Sequence, residues 1–319
     1  MVYSARSVLA TSECERPKVE WEDVACLLCG GGQRNLLVEA RDPTPDRTGL
    51  WFAVVQCQDC GLCYTNPRPS PVSISAFYPT DYRPHGTPPK NKKVQGVTKR
   101  FGRWLRGLDS RRGLAWHGQG RLLDFGCGGG SFLERLHLQG WKVTGLDVSP
   151  LPVDRIRQGL NLPALVGTLP HPALHKSSFD VITMWQALEH LHDPLAVLRE
   201  AHRLLAPGGK LIVSVPNIDS LAFRWFGPAW FGLDLPRHLT HFAPWTLQLM
   251  LVRAGFEIEP VRMIRRGSWL RGSARLAASM PNPGRWRRCL QSRLPSSLAS
   301  WFAWRTRQAD CMMVTAHRA

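Results

Sequence analysis

The run Asp124-Phe125-Gly126-Cys127-Gly128-Gly129-Gly130 leads from the apolar pair Leu122-Leu123 into an apolar-periodic stretch that begins at Ser131-Phe132-Leu133. A strand, a glycine turn and a helix in that order let backbone approach a ligand and aim the first N–H groups of the helix at it. A nucleotide-like ligand is implied. Dinucleotide sites use a similar turn, but their third glycine falls where this chain has Ser131. An acid, Asp124, stands just ahead of the turn, where it would repel a pyrophosphate and pair with the ammonium group of a methionine. The next strand-like run, Trp141-Lys142-Val143-Thr144-Gly145-Leu146-Asp147, ends in a second acid, placed to accept the ribose hydroxyls of a nucleoside. Charge therefore favours the sulfonium nucleoside S-adenosylmethionine over a dinucleotide.

Two Cys-x-x-Cys pairs, Cys26 with Cys29 and Cys57 with Cys60, supply a second chemistry. Each pair sets two thiolates on a tight knuckle, and two knuckles make a tetrahedral four-sulfur site suited to zinc. Such a site leaves no position open for water, so the expected zinc is structural. Cys63 extends the second pair, but four ligands are already present, and it reads as a small core residue. Nine cysteines in 319 residues are too few for a disulfide scaffold.

Methyl transfer from a sulfonium needs in-line positioning, and a base where the acceptor is a hydroxyl or an acidic C–H. Side chains at the carboxyl ends of strands are placed for that work. Glu189-His190 follows one such strand, and His238 and His241 lie three apart in the aromatic stretch beyond it. For each histidine the competing role is a satisfied packing residue, and Glu189-His190 equally suits a structural role before a helix starting at Asp193-Pro194.

These residues need a scaffold. Short apolar runs alternate with helical segments from about residue 120, the pattern of βαβ units. Strands are expected over 121–125, 141–147, 164–167, 179–185, 210–215, 256–262 and 311–317. The fold class is α/β: a Rossmann-like, seven-stranded, mostly parallel, doubly wound sheet with a small N-terminal zinc-ribbon-like module. The expected organisation is a tail over 1–24, the four-cysteine module over 25–70, a proline-rich linker and basic amphipathic helix over 71–115, a core over 116–262 with an aromatic excursion at 217–243, and a basic Arg/Trp-rich helical segment with a final strand over 263–319.

Over about residues 25 to 262 the chain resembles the class I S-adenosylmethionine-dependent methyltransferases, in particular the ubiquinone-methyltransferase-like branch. The turn and Asp147 are similar to that family's first motifs. Leu165-Val166-Gly167-Thr168-Leu169-Pro170, Ala187-Leu188-Glu189-His190-Leu191-His192-Asp193-Pro194, Leu205-Ala206-Pro207-Gly208-Gly209 and Pro236-Arg237-His238-Leu239-Thr240-His241-Phe242 resemble its later landmarks. The resemblance implies that Asp124, Gly126 and Gly128 cradle the methionine end, that Asp147 binds the ribose, and that Thr168 and Leu169 lie against the adenine. Trp185 or Gln186 would close the pocket near the methyl group. It places the Arg-His-x-x-His-Phe stretch over the acceptor pocket, which makes His238 the first candidate base, ahead of His241 and His190. Similar ubiquinone-pathway enzymes hold a divalent cation with a Glu-His pair and a carboxylate three residues earlier, where this chain has Gln186.

The formal charge of +17 draws the protein towards nucleic acid, anionic membrane or acidic substrates. Residues 90–112 carry nine Lys and Arg against one acid, and residues 261–309 carry eleven arginines and no acid, both interleaved with tryptophan and leucine. That pattern suits a helical lid, an interfacial helix on anionic lipid, or RNA. The expected partner is a small-molecule acceptor, with peripheral contact to anionic membrane next and nucleic acid after it. An RNA methyltransferase and a non-catalytic binding protein on the same fold are the alternatives; the strand ending in Met184-Trp185-Gln186 lacks the Asn/Asp-Pro-Pro-aromatic run of enzymes that methylate exocyclic base amines. No secretory segment or bilayer-length apolar run is visible, so a cytoplasmic address is expected.

Overall fold

A computed structural model describes residues 19–43, 50–78, 120–280 and 284–319. The basic helix expected within 90–112 and most of the expected tail lie outside the described residues. The N-terminal part contains β1 (Trp21–Glu22), β2 (Arg34–Arg41), β3 (Trp51–Cys57), β4 (Cys63–Thr65) and β5 (Arg68–Pro69). Strand β1 falls in the stretch expected as tail and corrects that expectation: it pairs antiparallel with β5, Trp21 opposite Pro69.

Beyond residue 120 come β6 (Arg121–Phe125), α1 (Ser131–His137), β7 (Lys142–Asp147), α2 (Pro150–Gly159), β8 (Ala164–Val166), β9 (Phe179–Trp185), α3 (Pro194–Leu204) and β10 (Leu205–Pro216). The excursion holds α4 (Leu221–Phe226) and β11 (Thr240–His241). There follow α5 (Pro244–Arg253), β12 (Glu257–Ile258), β13 (Arg262–Ile264), α6 (Gly267–Ala278), α7 (Arg285–Cys289), α8 (Arg293–Arg305) and β14 (Cys311–His317).

The large sheet runs β12-β14-β10-β9-β6-β7-β8, with β13 also on β14. Strands β10, β9, β6, β7 and β8 are parallel, and β14 is antiparallel to β10. This is the Rossmann-like, doubly wound sheet expected. One strand differs: the run over 256–262 divides into β12 and β13, which pair with successive stretches of β14. The irregularity falls at Glu259-Pro260, because proline has no N–H to donate to a ladder.

Both faces of the sheet are buried, so its strands read as continuous apolar runs rather than alternating ones. Leu123 and Ile182 join the core on one face and Leu122 and Val181 that on the other. Helix α3 starts where Asp193 Oδ1 accepts from Ala196 N at 2.9 Å, with Pro194 in the first turn. Such a cap stabilises a helix by about 1 kcal/mol, and it fixes the chain just after Glu189 and His190.

The cysteine-bearing part shares its interior with the sheet: Cys26, Leu28 and Tyr64 lie in one apolar cluster with Leu123 and Leu146. Its four-stranded sheet, in the order β11-β4-β3-β2, takes its outer strand from the excursion, with His241 opposite Cys63. A third cluster joins Phe52 and Val54 of β3, Phe226 and Trp230 of the excursion, and Leu270 and Ala274 of α6.

Candidate functional site

The glycine turn sits at the carboxyl end of β6. Gly126 has φ +71°, and a Cβ there would lie 2.8 Å from that of Ala187, so only glycine lets the turn close against the chain leaving β9. The N–H groups of Gly126 and Cys127 donate to Leu146 O, at 2.8 and 3.3 Å. Gly128 N donates to Asp147 Oδ2 at 2.9 Å, and Ser149 N to Asp147 Oδ1 at 3.0 Å. The N–H groups of Gly126, Cys127 and Gly128 are thus engaged with β7 and Asp147, so those that meet a ligand are left to the first turn of α1. Buried Asp124 is oriented by Thr183 of the neighbouring strand, whose Oγ1 donates to Asp124 Oδ1 at 2.6 Å.

Beyond Asp147, Gly167 N returns to Asp147 O at 2.9 Å, which sets exposed Thr168 and buried Leu169 beside the same strand ends. Trp185 packs edge-on to Phe132 of α1 at 5.5 Å between centroids. Gln186, at φ +55°, is turned the other way: its Nε2 donates to Ser214 O at 2.8 Å and lies 3.5 Å from Cys311 Sγ. Asp124, Gly126, Gly128, Asp147, Thr168, Leu169 and Trp185 are brought to one end of the sheet, while the Gln186 carboxamide is held between β10 and β14.

Residues Leu188–His190 form a single turn after β9, and the excursion lies on them through Leu239 N, which donates to Glu189 O at 2.8 Å. His238 Nδ1 is 2.8 Å from Gly232 O, a contact that requires the proton on Nδ1. Its Nε2 then carries the lone pair, 4.0 Å from Glu189 Oε1 and 3.9 Å from Asp234 Oδ2. The His190 ring stands edge-on to His238 at 4.6 Å, with Nδ1 2.9 Å from Arg237 O and 3.2 Å from Tyr78 Oη. His241 is placed differently. Its Nε2 is 3.1 Å from Thr65 Oγ1, which itself donates to His238 O at 2.8 Å, so His241 ties the excursion to β4.

Burial shapes the electrostatics here. It pulls His190 and His241 down to about 3 and lowers His238, so the three rings are neutral. It pushes the Glu189 carboxyl up to about 8, and neither of that residue's oxygens has a hydrogen-bond partner among the described residues. Asp234 stays below its ordinary value despite its burial, held there by the Arg237 guanidinium that donates to it. Arg237 is itself clamped by Asp234 at 2.7 Å, Asp42 at 3.2 Å and Phe77 O at 3.0 Å. Sequence reasoning missed Tyr78, Asp234, Asp42 and the clamping role of Arg237; the run Pro236-Arg237-His238 pointed to the last, but Tyr78 and Asp42 stand in no motif. One ligand atom each from Glu189, His190 and His238 lie within 4.8 Å of one another.

The four cysteine sulfurs form the other cluster, also within 4.8 Å of one another, with Cys26 3.3 Å from Cys60 and Cys29 3.5 Å from Cys57. A tetrahedral zinc–thiolate site has sulfur–sulfur edges of about 3.8 Å, so the cluster fits such an ion with a small expansion. Gly61, at φ +66°, turns the second knuckle against the Trp245 ring of α5, which a Cβ would meet at 2.2 Å. Burial pushes the Cys26 thiol up to about 11 and also raises Cys60. Against the same cost of burial, the N–H groups of Cys60 and Asp59 favour the Cys57 thiolate and lower it. Buried Cys63 is outside this cluster.

A family model described as a methyltransferase domain matches residues 93–261, more than half of the chain. The ubiquinone biosynthesis O-methyltransferase of Xanthomonas axonopodis pv. citri is 34% identical over 170 residues, which span 50% of this chain and 71% of that protein. Its counterpart in Pseudomonas aeruginosa is 34% identical over 166 residues, 48% of this chain and 70% of the relative. A solved S-adenosylmethionine-dependent methyltransferase from Mesorhizobium loti superposes with a TM-score of 0.47 at 22% identity, over 65% of this chain and 95% of that one. The chain belongs to the class I S-adenosylmethionine-dependent methyltransferases.

Proposed function

We propose that the chain methylates a small-molecule acceptor, sugar-like, quinone-like, polyketide-type or lipid-linked, at a hydroxyl or an acidic carbon, with His238 as the base. One observation carries this reading: the His238 ring is buried, neutral and fixed in the tautomer that leaves Nε2 unprotonated at the carboxyl end of the sheet. Bound S-adenosylmethionine supplies an activated methyl group. Asp124 and the turn at Gly126 and Gly128 would hold its methionine end, Asp147 its ribose, and Thr168 and Leu169 its adenine, with Trp185 walling the methyl side.

As the acceptor is methylated, its proton passes to His238 Nε2, where Asp234, 3.9 Å away, favours the imidazolium. His190 positions that ring through the edge-on contact. Gln186, expected beside the methyl group, is held by Ser214 instead and receives no role in this reading. The relatives' O-methyltransferase names support a hydroxyl acceptor. Zinc on Cys26, Cys29, Cys57 and Cys60 would be structural, since four thiolates leave no open position.

A screen of metabolites with labelled methyl donor identifies the acceptor. With it, His238→Gln should lower kcat by about 10²–10⁴-fold while calorimetry finds donor binding unchanged, and Asp147→Ala should weaken donor binding itself. An unchanged kcat in His238→Gln would sink the base assignment. A second reading is favoured by the unpartnered oxygens of Glu189: a divalent cation held by Glu189, His190 and His238. Activity abolished by a chelator and restored by added cation, with the four cysteines still loaded, would select it.

A further inference from the structure

Helix α8, in the insertion between β13 and β14, is turned inside out. On α8 the buried positions are Ser296, Ser300 and Ala303, set against α6, where Arg271 Nη1 donates to Ser296 Oγ at 3.1 Å. The opposite side of the same helix carries Leu294, Leu298, Trp301 and Phe302, at i, i+4, i+7 and i+8, with relative exposures of 69%, 60%, 49% and 52%. An ordinary surface helix buries its large apolar side chains and exposes its serines. Trp286 of α7 and Trp304 are exposed as well, at 50% and 44%.

Charge identifies what covers this face. Arg288, Arg293, Arg305 and Arg307 are exposed around it, and no acid occurs between Glu259 and Asp310 to neutralise them. A second copy docked face to face would set arginine against arginine, and the segment 90–112 of the same chain is itself basic. Only an anionic occupant compensates the charge. Among those, nucleic acid would use stacking rings and arginine, whereas two leucines at the centre of the stripe match hydrocarbon.

We propose that α7 and α8 form a docking face for an anionic lipid bilayer, with the apolar stripe entering the interfacial layer and the arginines at the headgroup level. Among the described residues no helix is long and apolar enough to cross a membrane, so the contact is peripheral. The face does not depend on which acceptor is methylated. It does bear on delivery, because α6 packs beneath the excursion over the site: Ser273 Oγ accepts from Phe231 N at 3.0 Å, and the Phe231 and Trp269 rings lie 5.8 Å apart.

The test is co-sedimentation of the full chain with phosphatidylcholine vesicles, with and without phosphatidylglycerol. Binding is expected only with phosphatidylglycerol, weakening with salt, and at least about tenfold weaker in the Leu298→Ala/Trp301→Ala/Phe302→Ala triple variant. Those side chains are exposed, so the triple variant should melt with wild-type protein; should it misfold, hydrogen exchange on wild-type protein decides, vesicles being expected to protect residues 293–305. Absence of vesicle binding, equal binding by a folded triple variant, or unprotected residues 293–305 overturns the proposal. So does a result in which the variant only turns a dimer into a monomer, or loses binding to homopolymer RNA while keeping that to vesicles.

Discussion

Three buried histidines and one buried glutamate around the excursion have opposite consequences for pH. His190 and His241 have folded values near 3 and unfolded values near 6.5, so between those limits the unfolded chain takes up protons that the folded one refuses. Stability is therefore full above pH 6.5 and falls as pH drops towards 3, by on the order of a few kcal/mol per histidine. Glu189 has the other sign: its folded value near 8 lies above its unfolded 4.5, so its cost grows from pH 4.5 to 8. His241→Gln can keep the hydrogen bond to Thr65 without a titrating ring. Its denaturation midpoint should fall less than that of wild-type protein between pH 7 and pH 4; an equal fall would place the acid sensitivity elsewhere. At this scale the sequence was legible where chemistry follows local order. Asp124 and Asp147 end strands beside a glycine turn, and that order survives in the linear chain. Arg237 and Asp42, 195 positions apart, carry no such local sign of their pairing.

Strand β11 links the two chemistries, since the residues beside the proposed base are also the outer strand of the cysteine-bearing sheet. If the knuckles hold the proposed zinc, its loss would loosen β3 and β4, and β11 with them. Cys57→Ser should lower the zinc content, speed hydrogen exchange at residues 63–65 and 240–241, and reduce methyl transfer more than donor binding, because Asp124 and Asp147 sit on β6 and β7. Intact protection at 240–241 in metal-free protein would separate the two. Four of the five parallel strands were readable to within a residue, since strands buried on both faces are mostly apolar runs, whereas β10 begins five residues earlier than expected, at Leu205. The joining of β11 to β4 was not, for two residues have no periodicity. The exposed stripe of α8 was visible as an apolar period, but a period does not say which face is outward, and here the usual rule is reversed.

Across the molecule, the cysteine-bearing part, the excursion and the helices after β13 meet in shared cores, with the Arg237–Asp42 pair buried where they converge. With Asp42 removed, Arg237 keeps Asp234 at 2.7 Å and Phe77 O at 3.0 Å, so the cost should lie below the about 3–5 kcal/mol of a fully stranded buried charge. Asp42→Ala should lower stability by about 1–3 kcal/mol in a single unfolding transition, measured by tryptophan emission in denaturant. Two separated transitions would mean that the parts unfold independently. Strands β13 and β14 are also direct neighbours, Ile264 opposite Cys311, so α6, α7 and α8 are topologically the tip of one long hairpin. Both ends of that insertion leave and rejoin the sheet at a single point. Substitutions on its exposed face therefore need not shift the strands expected to hold the donor, so the proposed docking face and the proposed chemistry can be altered separately.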